Sequence, residues 1–295
     1  MSIRTKIIKK IIRLRMTGWT DGSIEEQRAK QEKTTKTAIL PGDVKCQPVD
    51  VDGTPAEWID APGADLGVLL YLHGGGYALG SINTHRELIA RLAHATRLRG
   101  LPLDYRLAPE HPFPAALEDA VKAYHWLLAQ GIEPGQIFIA GDSAGGGLTL
   151  ATLVKLREGG VPLPAGAVCL SPWTDLALTG ASFQGKAKAD PMLKPEGIRQ
   201  YADYYTGEHS PTNPLISPLY ADLEGLPPLL IQVGSDEILL DDATRLAENA
   251  QKAGVNATLE VWDDMFHVFQ ITPFLSETKQ AVNHIAEFVA RHINL

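Results

Sequence analysis

QIFIAGDSAG, residues 136–145, decides the fold. Its first half is a short apolar run rich in β-branched and aromatic residues, which predicts a buried strand over 136–140. Its second half, Gly141-Asp142-Ser143-Ala144-Gly145, is a G-x-S-x-G turn, and the stretch 144–158 that follows has helical spacing. Strand, sharp turn and helix in that order put Ser143 on a strained backbone with its hydroxyl projecting from the carboxyl end of a sheet. The small residues two positions to either side let strand and helix approach without clash. The same turn sets the Ala144 N–H at a helix N-terminus, where unpaired donors and the macrodipole favour developing negative charge. A chance glycine-rich turn is the competing reading, and the flanking strand and helix argue against it.

The rhythm extends in both directions. Short apolar runs at 67–72 (GVLLYL), 101–105, 165–170 (AGAVCL), 229–233 (LLIQV) and 257–262 are of a length that suits strands buried on both faces of a parallel sheet. Stretches of helical spacing at 86–97, 115–130, 241–253 and 277–292 separate most of them, so the alternation predicts a doubly wound α/β architecture. Upstream, 43–60 reads as an antiparallel hairpin around Asp52-Gly53. Residues 176–226 break the rhythm: they offer no clear strand but several prolines and tyrosines, and are expected to form an insertion over the catalytic face.

Directly after the run 67–72 comes His73-Gly74-Gly75-Gly76-Tyr77. Three glycines let the backbone turn several N–H groups toward one point. Acyl transfer needs such donors for the oxyanion of its tetrahedral intermediate, each being worth roughly 3 kcal/mol. Gly74, Gly75 and Ala144 are the candidate oxyanion donors. A phosphate-cradling loop is excluded, because no Gly-Lys-Ser/Thr follows and Leu79 stands where G-x-G-x-x-G wants its last glycine.

HGGG, then Asp104-Tyr105-Arg106-Leu107-Ala108-Pro109-Glu110, then Gly141-Asp142-Ser143-Ala144-Gly145-Gly146 resemble the hormone-sensitive lipase family of bacterial esterases. The similarity runs from about residue 40 to the C-terminus. It implies an α/β-hydrolase fold with a mostly parallel eight-stranded sheet flanked by helices. A helical cap would be drawn from residues 1–40 and the insertion within 176–226, and the whole of 1–295 would form one catalytic domain. It further implies hydrolysis of short acyl esters, about four to eight carbons long, and dimerisation through the last strand and helix near 257–262.

In this fold the triad runs Ser, acid, His along the chain, so the base lies after Ser143. His209 falls in the insertion, and His284 and His292 in the terminal helix pattern. His267 remains, in a loop just past the last predicted strand, where an imidazole of ordinary pKa, about 6.5, can accept the serine proton. Asp236, following LLIQV, is the expected acid; it would fix the imidazole tautomer and stabilise the imidazolium. Glu237 stands where the family usually has proline, and Asp241 and Asp242 begin a helix, where acids commonly serve the dipole. Tyr77, Asp142, Met192, Leu193, Tyr201, Tyr205, Ile238 and Val268 are the candidate substrate contacts, with Asp142 also a hydrogen-bonding residue of the elbow. His73 reads as structural, and residues 104–114 as loop architecture with buried pairing. The expected reaction is ester hydrolysis through an acyl-enzyme, without metal or cofactor. The motifs alone leave amide hydrolysis and a non-catalytic binding pocket open.

Composition bounds the partners. A formal net charge of -8 over 295 residues leaves no basic footprint for nucleic acid, and a small-molecule ester is the expected ligand. Cys46 and Cys169 are far apart, suggesting neither a disulfide framework nor a zinc site. The first sixteen residues interleave Arg4, Lys6, Lys9, Lys10, Arg13 and Arg15 with isoleucines and Leu14, so charges break every apolar run that a secretory signal would need. Ile3, Ile7, Ile11 and Leu14 share one helical stripe. The expectation is a helix packed by that stripe on its own protein; a membrane-surface helix and a transit peptide are the competing readings. No stretch is apolar enough for a stable membrane span, and a cytoplasmic location follows as an expectation.

Overall fold

Lys45–Val51 (β1) and Thr54–Asp60 (β2) form the hairpin that Asp52-Gly53 predicts. Both turn residues have positive φ, 49° and 85°, the two-residue geometry whose twist matches that of the flanking strands. The computed structural model describes residues 3–18, 21–35, 40 and 42–294. Ahead of the hairpin lie α1 (Ile3–Met16) and α2 (Ile24–Thr35). After it come β3 (Gly67–Leu72), α3 (Ile82–Thr96), β4 (Leu98–Leu103), α4 (Ala115–Ala129), β5 (Ile137–Asp142), α5 (Ala144–Glu158) and β6 (Gly166–Leu170). The insertion contributes α6 (Ser182–Gly185) and α7 (Pro195–Thr206) and, as expected, no strand. β7 (Leu229–Gly234), α8 (Leu240–Lys252), β8 (Ala257–Trp262) and α9 (Ser276–His292) complete the chain.

The eight strands lie in the order β1-β2-β4-β3-β5-β6-β7-β8, antiparallel at β1-β2-β4 and parallel from β4 through to β8. β5, β6 and β7 are buried along their whole length, which explains their unbroken apolar runs: each side chain must meet a helix layer above or below. Alternate residues supply the two layers. Leu70 and Leu72 enter the core shared with α4, α5 and α8, whereas Leu69 and Tyr71 enter the one shared with α3 and α9. β8 departs from the expectation of a strand buried on both faces; it is the sheet edge, and Val261 is 44% exposed.

α1 reverses its expected orientation. Ile7, Ile11 and Leu14 of the expected buried stripe are exposed, and the side chain of Ile3 lies outside the described residues. The helix instead packs by its other side, where Ile8 and Ile12 join Met265, Phe266, Phe269 and Leu275. Lys9 is buried there and ion-paired. α2 holds to α7 and to the loops at the sheet's carboxyl end through polar bonds: Tyr201 Oη donates to Gln27 Oε1 at 2.7 Å, and Arg28 donates to Ala78 O, Ala108 O and both oxygens of Glu110.

Candidate active site

Ser143 lies between β5 and α5 with φ 53° and ψ −121°, a conformation that L-residues avoid unless their surroundings impose it. The imposition is visible. Its N–H donates to Leu170 O at 2.8 Å, and its carbonyl accepts from Gly146, Gly147 and Trp173. A Cβ on Gly145 would run into the carbonyl of Leu72, so only glycine lets α5 start this close to β3. The elbow expected from G-x-S-x-G is therefore present.

His267 and Ser143 line the same cavity, about 270 Å³ in volume. His267 Nδ1 lies 2.7 Å from Glu237 Oε2. With Nδ1–H donating to the carboxylate, Nε2 is left as the acceptor. The other carboxylate oxygen, Oε1, accepts from Ser171 Oγ at 2.8 Å and from the Gly234 N–H at 2.6 Å. Ser171 Oγ in turn accepts the Val268 N–H at 3.0 Å, tying the acid and the histidine loop to one hydroxyl. Burial of His267 opposes its protonation, but the charges of Glu237 and Asp190 outweigh this and hold its pKa above the ordinary value. Asp190 is itself buried beside this loop. Its carboxylate takes the N–H groups of Met192, Leu193 and Ile238, and burial raises its pKa.

The expectation of Asp236 as partner of His267 does not hold. Its carboxylate turns to the opposite side of the 235–239 turn, where Lys9 Nζ is 2.5 Å away and Lys186 Nζ 3.9 Å. Adjacent side chains in a turn diverge, and here the buried member of the pair is Glu237, at 0% exposure. The missed signal was local: Glu237 directly precedes the apolar Ile238-Leu239-Leu240, and the fold accepts Glu as readily as Asp in this role.

Gly74 is not free to serve as an oxyanion donor. Its N–H is taken by Asp142 Oδ1 at 3.0 Å and so is unavailable to a substrate oxygen. Gly75 and Gly76 line the cavity with φ of 120° and 63°, and neither their N–H groups nor that of Ala144 has a hydrogen-bond partner among the described residues. Asp142 thus fastens the glycine loop to the elbow. It also accepts Tyr71 Oη at 2.8 Å and lies 3.3 Å from His85 Nε2. Burial disfavours the Asp142 carboxylate, yet His85 and the donors around it bring the pKa below the ordinary value, while that of His85 is raised. His73 is structural, as expected. It stacks on Tyr105 at 4.3 Å and meets Gly74 O through Nδ1, and burial pulls its pKa down to about 3. The 104–114 segment pairs as expected too, with Arg106 bonded to the buried Asp119.

Of the candidate substrate contacts, Asp142, Met192, Leu193, Tyr201 and Val268 line the cavity. Tyr77 and Tyr205 do not; they stack on each other, centroids 3.6 Å apart and 4° from parallel, inside the core. Ile238 is likewise fully buried away from it. Met16, Leu79, Ile198 and Ile271 add apolar lining and His85 a polar group, and none of these was singled out from sequence as a substrate contact. Among the described residues, no group of His, Cys, Asp and Glu is placed to hold a metal ion.

Comparison with known proteins identifies the fold and the family. A family model described as α/β hydrolase fold matches residues 69–271. An acetyl-hydrolase of Streptomyces hygroscopicus is 47% identical over 274 residues, 91% of this chain and 90% of that one. An esterase of Acinetobacter venetianus is 40% identical, covering 83% and 82%. A crystal structure of an esterase from the bacterial hormone-sensitive lipase family superposes with TM-score 0.96 at 50% identity, covering 100% of this chain and 99% of that one. The esterase EstE5, soaked with p-nitrophenyl butyrate, gives 0.95 at 47%, covering 99% of each chain.

Proposed function

Because this chain belongs to the bacterial hormone-sensitive lipase family of α/β-hydrolase esterases and is a carboxylic ester hydrolase, we propose that it cleaves short-chain acyl esters through an acyl-enzyme on Ser143. Ser143 Oγ attacks the ester carbonyl while His267 Nε2 takes its proton. Glu237 holds the imidazole in the accepting tautomer and offsets the charge of the imidazolium. The N–H groups of Gly75, Gly76 and Ala144 receive the oxyanion. Collapse expels the alcohol, which takes the proton from His267. Water, activated by the same imidazole, then releases the acid and restores Ser143. The observation that carries this reading is the Glu237–His267 contact of 2.7 Å beside a strained Ser143 on one cavity wall.

A cavity of about 270 Å³ is at the small end for ligand sites, which supports acyl chains of about four to eight carbons. One catalytic domain capped by α1, α2 and the insertion fits the lining that Met16, Ile198 and Tyr201 supply. Pairing of two copies through β8 is supported by its unpaired edge, and light scattering tests it. Among the described residues no helix is long and apolar enough to cross a membrane. The direct test of the reaction is turnover of p-nitrophenyl butyrate by Ser143→Ala. The expected loss is about 10⁴-fold or more, and a loss under about tenfold would overturn the assignment.

A further inference from the structure

α1 carries six Lys or Arg and no acidic residue, although the whole chain has a formal net charge of -8. Its outward side carries an apolar stripe, with Ile7 55%, Ile11 46% and Leu14 68% exposed. At about 100° per residue these three fall within a narrow arc, with Lys6 and Lys10 along one border and Arg15 along the other. All three cations are exposed. The stripe does not stand alone. Among the described residues seven large hydrophobic side chains are exposed, and two more of them, Ile271 (37%) and Phe274 (57%), sit on the loop whose Phe269 and Leu275 pack with Ile8 of α1. Five of the seven therefore gather at one end of the molecule. That end is the cavity's, since Met16 and Ile271 are among its lining residues.

An apolar band bordered by cations is the arrangement that seats a helix in the headgroup region of a bilayer, with the greasy side chains below the phosphates and the ammonium and guanidinium groups among them. We propose that α1 and the 271–274 loop form a docking face for an anionic phospholipid surface, which brings the mouth of the active-site cavity to the lipid interface. An acidic protein would otherwise be repelled by such a surface, so the exposed Lys6, Lys10 and Arg15 beside the apolar stripe mark the contacting face. A substrate ester dissolved in the bilayer would then reach the cavity past Met16 and Ile271. Docking does not depend on the Ser143 reading and is measured apart from it.

The test uses the full chain with sucrose-loaded vesicles, either phosphatidylcholine alone or with one-third phosphatidylglycerol, and reads bound protein by co-sedimentation. Binding is expected to the anionic vesicles, to weaken with added salt, and to be at least about tenfold weaker on pure phosphatidylcholine. Ile7→Ser/Ile11→Ser/Leu14→Ser and, separately, Lys6→Glu/Lys10→Glu should each lower partitioning at least about tenfold. Both should keep soluble p-nitrophenyl butyrate turnover and melting temperature close to those of the parent, since the changed side chains are exposed. The proposal is overturned if the parent fails to sediment with anionic vesicles or binds both vesicle types equally. It is also overturned if the triple variant binds like the parent, or if light scattering shows that it converts a dimer to a monomer, which would make the face a contact between copies.

Discussion

Truncating Asp142 to alanine should disable catalysis from a position that never touches the reacting atoms. Its carboxylate gathers Tyr71 Oη at 2.8 Å, the Gly74 N–H at 3.0 Å and His85 Nε2 at 3.3 Å, all in buried surroundings. Removing one partner of a buried charged pair typically costs about 3–5 kcal/mol, because the remaining donors lose their acceptor without regaining water. For a chain of this size that lowers the melting temperature by about 5–15 °C. The kinetic cost has a separate source. Once Gly74 is released, Gly75 and Gly76 lose their registration against the elbow, and an oxyanion donor is worth about 10²–10³ in kcat. Asp142→Asn should behave differently. Its carbonyl oxygen still serves Tyr71 and Gly74, and its amide faces an imidazole that accepts once neutral, so kcat is expected within about tenfold of the parent. Steady-state turnover of p-nitrophenyl butyrate, with thermal melts to confirm folding, measures both. A folded Asp142→Ala enzyme with kcat within about threefold of the parent would refute the reasoning.

Three further outcomes follow from the same geometry. The acid limb of kcat/KM should titrate above the ordinary histidine value of about 6.5. Burial alone would lower the pKa of His267, but Glu237 and Asp190 raise it, and activity is lost as pH falls through the pKa because only the neutral ring accepts a proton. In Glu237→Gln the limb should move to lower pH, since burial then acts against less opposing charge; an unmoved limb in a pH–rate profile would count against the pairing. Ser171→Ala removes both the donor to Glu237 and the acceptor of the Val268 N–H, and denaturant unfolding should show a loss of about 1–3 kcal/mol together with reduced kcat.

Most of the sheet was legible because burial on both faces writes itself as unbroken apolar runs, and GVLLYL became a strand with the expected bounds; ATLEVW kept its bounds too, although as the sheet edge it stays partly exposed. The elbow was legible because a strained serine between strand and helix needs small neighbours on both sides. What failed was choice among neighbours that share a composition. α1 has two apolar lines, Ile3-Ile7-Ile11-Leu14 and Ile8-Ile12-Met16, and periodicity ranks them equally; Met265 and Phe266, distant in sequence, select the second. Asp236 and Glu237 differ by one position in a turn, and the direction of each carboxylate depends on Lys9 outside and His267 inside. Gly74 and Gly75 look alike in HGGG, and the buried Asp142 takes the N–H of the first. Tyr77 and Tyr205 looked like pocket aromatics, but each finds the other's face and both leave the cavity for the core. In every case a long-range partner decided the local geometry.

The assignment of the site is tested most directly by kcat/KM for p-nitrophenyl butyrate in Glu237→Gln beside Asp236→Asn. Glu237→Gln should fall by about 10⁴, the loss seen when the acid behind a catalytic histidine becomes an amide, while Asp236→Asn should stay within about tenfold of the parent. The reverse order, a crippled Asp236→Asn and an active Glu237→Gln, would contradict it.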